Sequence, residues 1–154
     1  MFGSAEECAR QILEIVPLVM AAIRNEIRSH RGSELSVPQF RVLIFLNRHE
    51  GASLSDIAEH IGLTLPSMSK MIDGLLARNM VTRHMHLEDR RRVTLALTAL
   101  GRGSMQSAYK ATESRLAERL VVLPAAERRT IIEAMQVLES IFMSSREAKT
   151  SQGK

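Results

Sequence analysis

The middle of this chain holds two groups of side chains whose chemistry suits contact with a nucleic-acid duplex. The first group is small and polar around one lysine and consists of Thr64, Pro66, Ser67, Ser69, Lys70 and Asp73. The second group is basic around one carboxylate and consists of Arg83, Asp89, Arg90, Arg91 and Arg92. Hydroxyl and guanidinium groups bind phosphate oxygens, while lysine and aspartate can also reach base edges. This is the chemistry of binding rather than of making or breaking bonds.

Within the first group, we expect the three hydroxyls to contact phosphates and the other three members to lie nearer to base edges. The carboxylate of Asp73 has two interpretations, because it can accept a hydrogen bond from cytosine or pair with Lys70. A lysine among small residues is also typical of an ordinary solvated helix face. The elements around this group decide between these interpretations.

The pattern around the first group predicts two short helices joined by a turn, over residues of about 53–78. Ser53 can cap the first helix, and Gly62 ends it. Thr64 can cap the second helix, with Pro66 in its first turn. One face of that second helix is apolar and consists of Leu65, Met68, Met71, Ile72, Leu75 and Leu76. Because the opposite face is small and polar, it can approach a duplex closely, as the reading helix of a helix-turn-helix motif does.

The second group lies in a predicted hairpin over residues of about 81–98. Polar and apolar residues alternate on both sides of a charged loop, with Val93, Leu95 and Leu97 on one face. Clustered arginines repel one another, and a phosphate wall would offset that repulsion. A solvent-exposed hairpin tip is the alternative. Together with the two helices, the hairpin predicts a winged helix-turn-helix unit.

Helical patterns flank this unit on both sides. We predict helices at about 5–31, where Pro17 would kink the helix, and at about 99–146, with another buried helix starting near Ser36. Gly101 and Gly103 should weaken the first turn of the helix that follows the wing. The fold class is therefore mainly α with a small β-wing, as a single domain over 1–148 and a disordered tail over 149–154. The flanking apolar stripes exceed what this unit can cover, which predicts dimerisation helices.

Composition agrees with a globular protein whose partner is acidic. The 154 residues are 45% hydrophobic and 25% charged, with a net charge of +4. A basic balance favours nucleic acid but also fits many other proteins, and no apolar run is long enough to span a bilayer. The single cysteine, Cys8, excludes an intramolecular disulfide. With no signal peptide before the first helix, we expect a cytoplasmic protein.

Three segments resemble the MarR family of bacterial transcription regulators, in the same order and over essentially the whole chain. They are the helix opening Ser-Val-Pro-Gln-Phe-Arg-Val-Leu at 36–43, the helix-turn-helix from Leu54 to Val81, and the Asp-x-Arg wing followed by Leu-Ala-Leu-Thr-Ala-Leu-Gly at 95–101. The resemblance implies a homodimer, a palindromic operator and a small-molecule effector that weakens DNA binding. In the Asp-x-Arg motif, Asp89 would brace Arg91 for entry into the groove. Arg83, Arg90 and Arg92 would then face phosphates.

Several other interpretations follow from the sequence. The fold could serve as a protein-interaction module that has lost DNA binding, or Cys8 could make the protein a thiol-based redox regulator of the same family. The acidic neighbours Glu6 and Glu7 disfavour a reactive thiolate, so an inert thiol is the better interpretation. His84 and His86 share a strand face but have no further ligands at metal spacing. No catalytic motif is present, so we predict no enzyme, cofactor or metal, and a DNA-binding transcriptional repressor instead.

Overall fold

A computed structural model describes residues 3–30, 35–89 and 91–151, with side chains up to residue 143. The described chain contains six helices and three short strands, in the order α1, α2, β1, α3, α4, β2, β3, α5, α6. The fold class predicted from the sequence, mainly α with a small β-wing, is confirmed. The chain divides into two compact units, Met1–Arg115 and Leu116–Lys154.

The first unit begins with α1 (Ala5–Ser29), which continues through Pro17, and α2 (Val37–Arg48). Ser36 caps α2 as predicted, and a capping box joins it to Gln39. The next helices are α3 (Leu54–Ile61) and α4 (Leu65–Ala77). Both begin where the sequence predicted, because Ser53 and Thr64 cap them, and Gly62 ends α3 as predicted. Gly62 has a left-handed backbone, with φ of 81°.

The core of the first unit lies where α2, α3 and α4 meet the sheet. Its fully buried side chains include Leu43, Ile57, Met68, Ile72 and Leu75. This packing fixes the angle between α3 and α4 and leaves the opposite face of α4 in solvent.

The sheet has three antiparallel strands in the order β1-β3-β2. The wing strands β2 (Val81–Met85) and β3 (Val93–Leu97) confirm the predicted hairpin. The third strand, β1 (Ala52–Ser53), was not predicted. It pairs Ala52 with Leu95 and is too short for a period-two pattern. It connects the wing to the start of α3.

The helix after the wing, α5 (Ala99–Leu120), rests directly on the backbone that joins α4 to β2. Thr98 donates its hydroxyl to the carbonyl of Asn79 at 2.6 Å and accepts a hydrogen bond from the amide of Gly101 at 2.9 Å. Gly101 is buried, and a Cβ at that position would overlap the carbonyl oxygen of Met80. Gly101 therefore has a packing role that the sequence did not show, whereas no atom lies within 4 Å of the Cβ position of Gly103.

The second unit contains the end of α5 and helix α6 (Ala125–Ser151). The predicted apolar stripe of α6 is largely exposed, including Ile131, Met135 and Phe142. None of the side chains described between residues 116 and 143 is buried. The helix continues to Ser151, beyond the predicted tail boundary, and residues 152–154 lie outside the described chain. None of the helices in the described residues is both long and apolar enough to cross a membrane.

Candidate nucleic-acid interface

The amino end of α4 is built to present hydroxyls and amides outward. The Thr64 hydroxyl oxygen accepts a hydrogen bond from the Ser67 amide at 3.3 Å, and the hydroxyl donates to Ser67 Oγ at 3.0 Å. The Ser67 hydroxyl keeps its own proton free to donate to a phosphate oxygen. Because the first-turn amides of a helix also favour anions, this end of α4 suits a phosphate.

The outer face of α4 carries the small polar residues that the sequence placed there. Pro66 and Lys70 are exposed, and Ser69 is half-buried. Lys70 makes no ion pair with any residue that the structure describes. Leu65 departs from the prediction, because it lies half exposed at 50% instead of packing with the apolar face. Leu65 is the first residue of α4, and the buried side chains of this helix begin one turn later.

Asp73 pairs with an unexpected partner. Its carboxylate lies 3.3 Å from the guanidinium of Arg83 on β2, not against Lys70. The sequence offered no signal for this pair, because neither the strand register nor the angle between β2 and α4 can be read from residue types. Both side chains stay partly exposed, at 43% for Arg83 and 64% for Asp73. The pair therefore joins α4 to the wing.

The wing tip is organised by Asp89. Its carboxylate accepts a hydrogen bond from the backbone amide of Arg91 at 3.0 Å, which is an Asx-turn. The Asp89 carbonyl also accepts from the Arg92 amide at 2.9 Å, and the His86 amide donates to the Arg92 carbonyl at 3.2 Å. Asp89 thus contacts Arg91 through its backbone amide and not through its guanidinium, and the predicted brace of the Arg91 side chain stays a prediction. Both Arg91 and Arg92 are exposed, and Arg90 lies outside the described residues.

The ring of His84 contacts a neighbour on its own strand. His84 Nε2 lies 3.1 Å from the hydroxyl of Thr82 on the same strand face. Among the described residues, no group of three or more potential ligands could hold a metal ion. Cys8 is exposed in the first turn of α1, well apart in sequence from the wing and α4.

A cavity of about 240 Å³ lies away from this face, between α2 and α5. Its lining combines apolar, amide and cationic side chains and consists of Ile44, Asn47, Arg48, Met105, Gln106 and Tyr109. Asn47 also accepts a hydrogen bond from Arg102 at 2.7 Å. Arg48 forms no hydrogen bond or ion pair within the described chain.

These elements together define a winged helix-turn-helix protein, with α3 and α4 as the turn motif and β2 and β3 as the wing. Residues 35–93 match the MarR family model. The HTH-type transcriptional regulator YfiV of Bacillus subtilis is 29% identical over 135 residues, which cover 88% of this chain and 84% of YfiV. The resemblance to the MarR family of transcription regulators, which the motifs predicted, is thereby confirmed for residues 35–93. Members of this family are regulators and not enzymes, which agrees with the lack of a catalytic motif.

Solved structures show the same fold. Rv1404 from Mycobacterium tuberculosis aligns with a TM-score of 0.74 at 23% identity, over 92% of this chain and 95% of its own. The transcriptional repressor CouR, bound to a 23-mer DNA duplex, aligns with a TM-score of 0.67 at 23% identity, over 91% of this chain and 99% of its own. At these identities the alignments establish the fold.

Proposed function

We propose that this protein binds a palindromic DNA operator as a homodimer, represses transcription from it, and is released by a small-molecule effector. The observation that carries the proposal is the exposed, small polar face of α4 with the unpaired Lys70, which an ion pair joins to a wing that exposes Arg91 and Arg92 at its tip. A reading helix beside a basic wing suits the major groove and the adjoining backbone. CouR, which has this fold, is a repressor that binds duplex DNA. The place of action would be the cytoplasm, on DNA.

Selection of bound sequences from a random duplex library tests this function directly. We expect an enriched palindrome, with an affinity that falls steeply as salt rises because phosphate contacts release counterions. A folded chain that binds no duplex at low salt would favour the alternative of a protein-interaction module. That result would overturn the proposal without touching the fold.

Dimerisation is proposed because each unit exposes an apolar helical face. In the first unit, α1 exposes Leu13, Val16 and Val19, and in the second unit α6 exposes its apolar stripe. Continuous apolar faces of this kind mark association surfaces. A two-fold dimer would also present two copies of α4 to a palindrome.

We expect light scattering at micromolar concentration to give twice the chain mass of 17.2 kDa. Phe142→Glu should shift the protein toward monomer, because it places a charge within the apolar stripe of α6. Gln136→Glu adds the same charge elsewhere on that helix and should leave the mass unchanged. A monomeric wild-type protein that binds a half-site tightly would contradict the dimer.

The cavity between α2 and α5 is the proposed effector site. Its volume of about 240 Å³ exceeds the roughly 150 Å³ that holds benzene in an engineered cavity. The apolar side chains of Ile44 and Met105 suit a ring, and the unpaired guanidinium of Arg48 suits a carboxylate. A small aromatic acid fits this combination. CouR has been solved with p-coumaroyl-CoA, so a protein of this fold does take an aromatic acyl ligand.

We expect benzoate or 4-hydroxybenzoate to bind and to weaken operator affinity, with a reciprocal coupling of about 1–3 kcal/mol. Arg48→Gln should weaken acid binding at least about tenfold, because a charge-assisted hydrogen bond is lost. Operator affinity without acid should stay unchanged in that variant, and Lys110→Gln on α5 is the charge-matched control. Equal acid affinity in the wild type and Arg48→Gln, measured by calorimetry, would exclude this cavity as the acid site.

A further inference from the structure

The ion pair between Asp73 and Arg83 joins two elements that must meet a duplex at different places. Asp73 lies on α4, which the proposed function places in the major groove, and Arg83 lies on β2 of the wing. The two charged atoms are 3.3 Å apart. Neither side chain forms another hydrogen bond or ion pair within the described chain.

The strand geometry directs Arg83 toward α4. Arg83 pairs directly with Leu95 of β3, and Leu95 is only 1% exposed. Directly paired residues point to the same face of a sheet, so Arg83 lies on the face that packs on the helices. Thr82 and His84 lie on the opposite face. Arg83 is therefore placed to reach the reading helix and not the tip of the wing.

The position of Asp73 along α4 also argues against base reading. In helix-turn-helix proteins, residues near the amino end of the second helix contact base edges. Asp73 lies in the carboxyl-terminal half of α4 (Leu65–Ala77), beyond Lys70. An unpaired carboxylate there would repel phosphates, whereas the pair with Arg83 is neutral.

We propose that Asp73 and Arg83 form a brace that sets the position of the wing relative to the reading helix, so that both are positioning residues. This inference rests on the proposed DNA binding. The brace affects DNA binding through Lys70 and Arg91, because it holds α4, which carries Lys70, and the wing, which carries Arg91, in one relative position. It replaces the sequence-based assignments of Asp73 to a base edge and of Arg83 to a phosphate.

A double-mutant cycle tests the brace on the duplex selected from the random library. Asp73→Asn and Arg83→Gln should each lower affinity about two- to fivefold, since exposed ion pairs contribute little. The double variant should lose no more than the larger single loss, because both changes remove one interaction. Arg83→Lys, which keeps the charge, should recover part of the affinity.

Two readouts separate positioning from direct contact. Repeating the selection with Asp73→Asn should return the same base preferences, and Arg83→Gln should keep the wild-type salt dependence. A changed preference at one operator position would show that Asp73 reads a base. A salt slope reduced by about 0.9 would show that Arg83 contacts a phosphate. Either result, or additive losses in the double variant, would overturn the brace.

Controls distinguish this failure from failure of the proposed function. Glu59→Gln removes one exposed carboxylate from α3 and should leave affinity unchanged. Unfolding by urea should give every variant the stability of the wild type within error, because the pair is exposed. If the wild-type protein binds no duplex, both the proposed function and the brace are wrong. If the wild-type protein binds the duplex and Asp73→Asn binds it more tightly, only the brace is wrong.

Discussion

Replacing Gly101 with alanine is expected to destabilise the protein by about 3 kcal/mol or more, the largest effect that a single methyl group should have in this fold. The added Cβ would overlap the Met80 carbonyl oxygen and lie 2.8 Å from its carbonyl carbon. These are backbone atoms, so no side-chain rotation relieves the overlap. Helix α5 would have to move away from the connection between α4 and β2. That movement would stretch the hydrogen bond from the Thr98 amide to the Met80 carbonyl, now 3.1 Å.

Urea unfolding at fixed protein concentration measures this loss. Gly103→Ala is the matched control, because nothing lies within 4 Å of its added Cβ and the position is in the same helix. Alanine there should raise the free energy of unfolding by about 0.5–1 kcal/mol, as expected for a helix interior. Equal stability of the two variants would show that the start of α5 shifts freely. The close packing at Gly101 would then have no structural importance.

The different roles of these two glycines illustrate what residue types can predict. Gly101 and Gly103 look alike in a helical pattern. Only Gly101 has no room for a Cβ, because the carbonyl of Met80, 21 positions earlier in the chain, lies against it. The same holds for the partner of Asp73, which depends on the register of β2 against β3. Non-local contacts of this kind leave no local pattern. The strand β1 was missed for a related reason, as two residues show no alternation.

Local rules explain the parts of the fold that were predicted. Ser36, Ser53 and Thr64 each cap a helix as expected, because a hydroxyl needs only the amides of the following turn. The left-handed Gly62 fixes the turn of the helix-turn-helix in the same way. The site residues on α4 and at the wing tip follow directly from these boundaries. Their roles on DNA stay predictions, and Lys70 provides the sharpest test of them.

Lys70→Ala is expected to cost about 1–3 kcal/mol in binding of the selected operator, with a smaller loss on random duplex. The reason is that Lys70 is exposed and unpaired on the outer face of α4, where its ammonium can contact a base edge. Lys110→Ala removes the same charge from α5 and is the control for net charge. Titrations of both variants on both duplexes at several salt concentrations give the comparison.

The wing arginines should behave differently, because the tip of a wing reaches the backbone and the narrow groove. Arg92→Ala should weaken binding to operator and random duplex about equally and reduce the salt slope by about one phosphate contact. The same is predicted for Arg90→Ala. For Arg91→Ala, the difference between the affinity lost on operator and the affinity lost on random duplex should lie between that of these variants and that of Lys70→Ala. The loss should be larger on A·T-rich flanks if the Arg91 guanidinium enters the minor groove. If Lys70→Ala folds normally and keeps its operator affinity, α4 is not the reading helix. If Lys70→Ala loses equal affinity for operator and random duplex, Lys70 contacts only a phosphate.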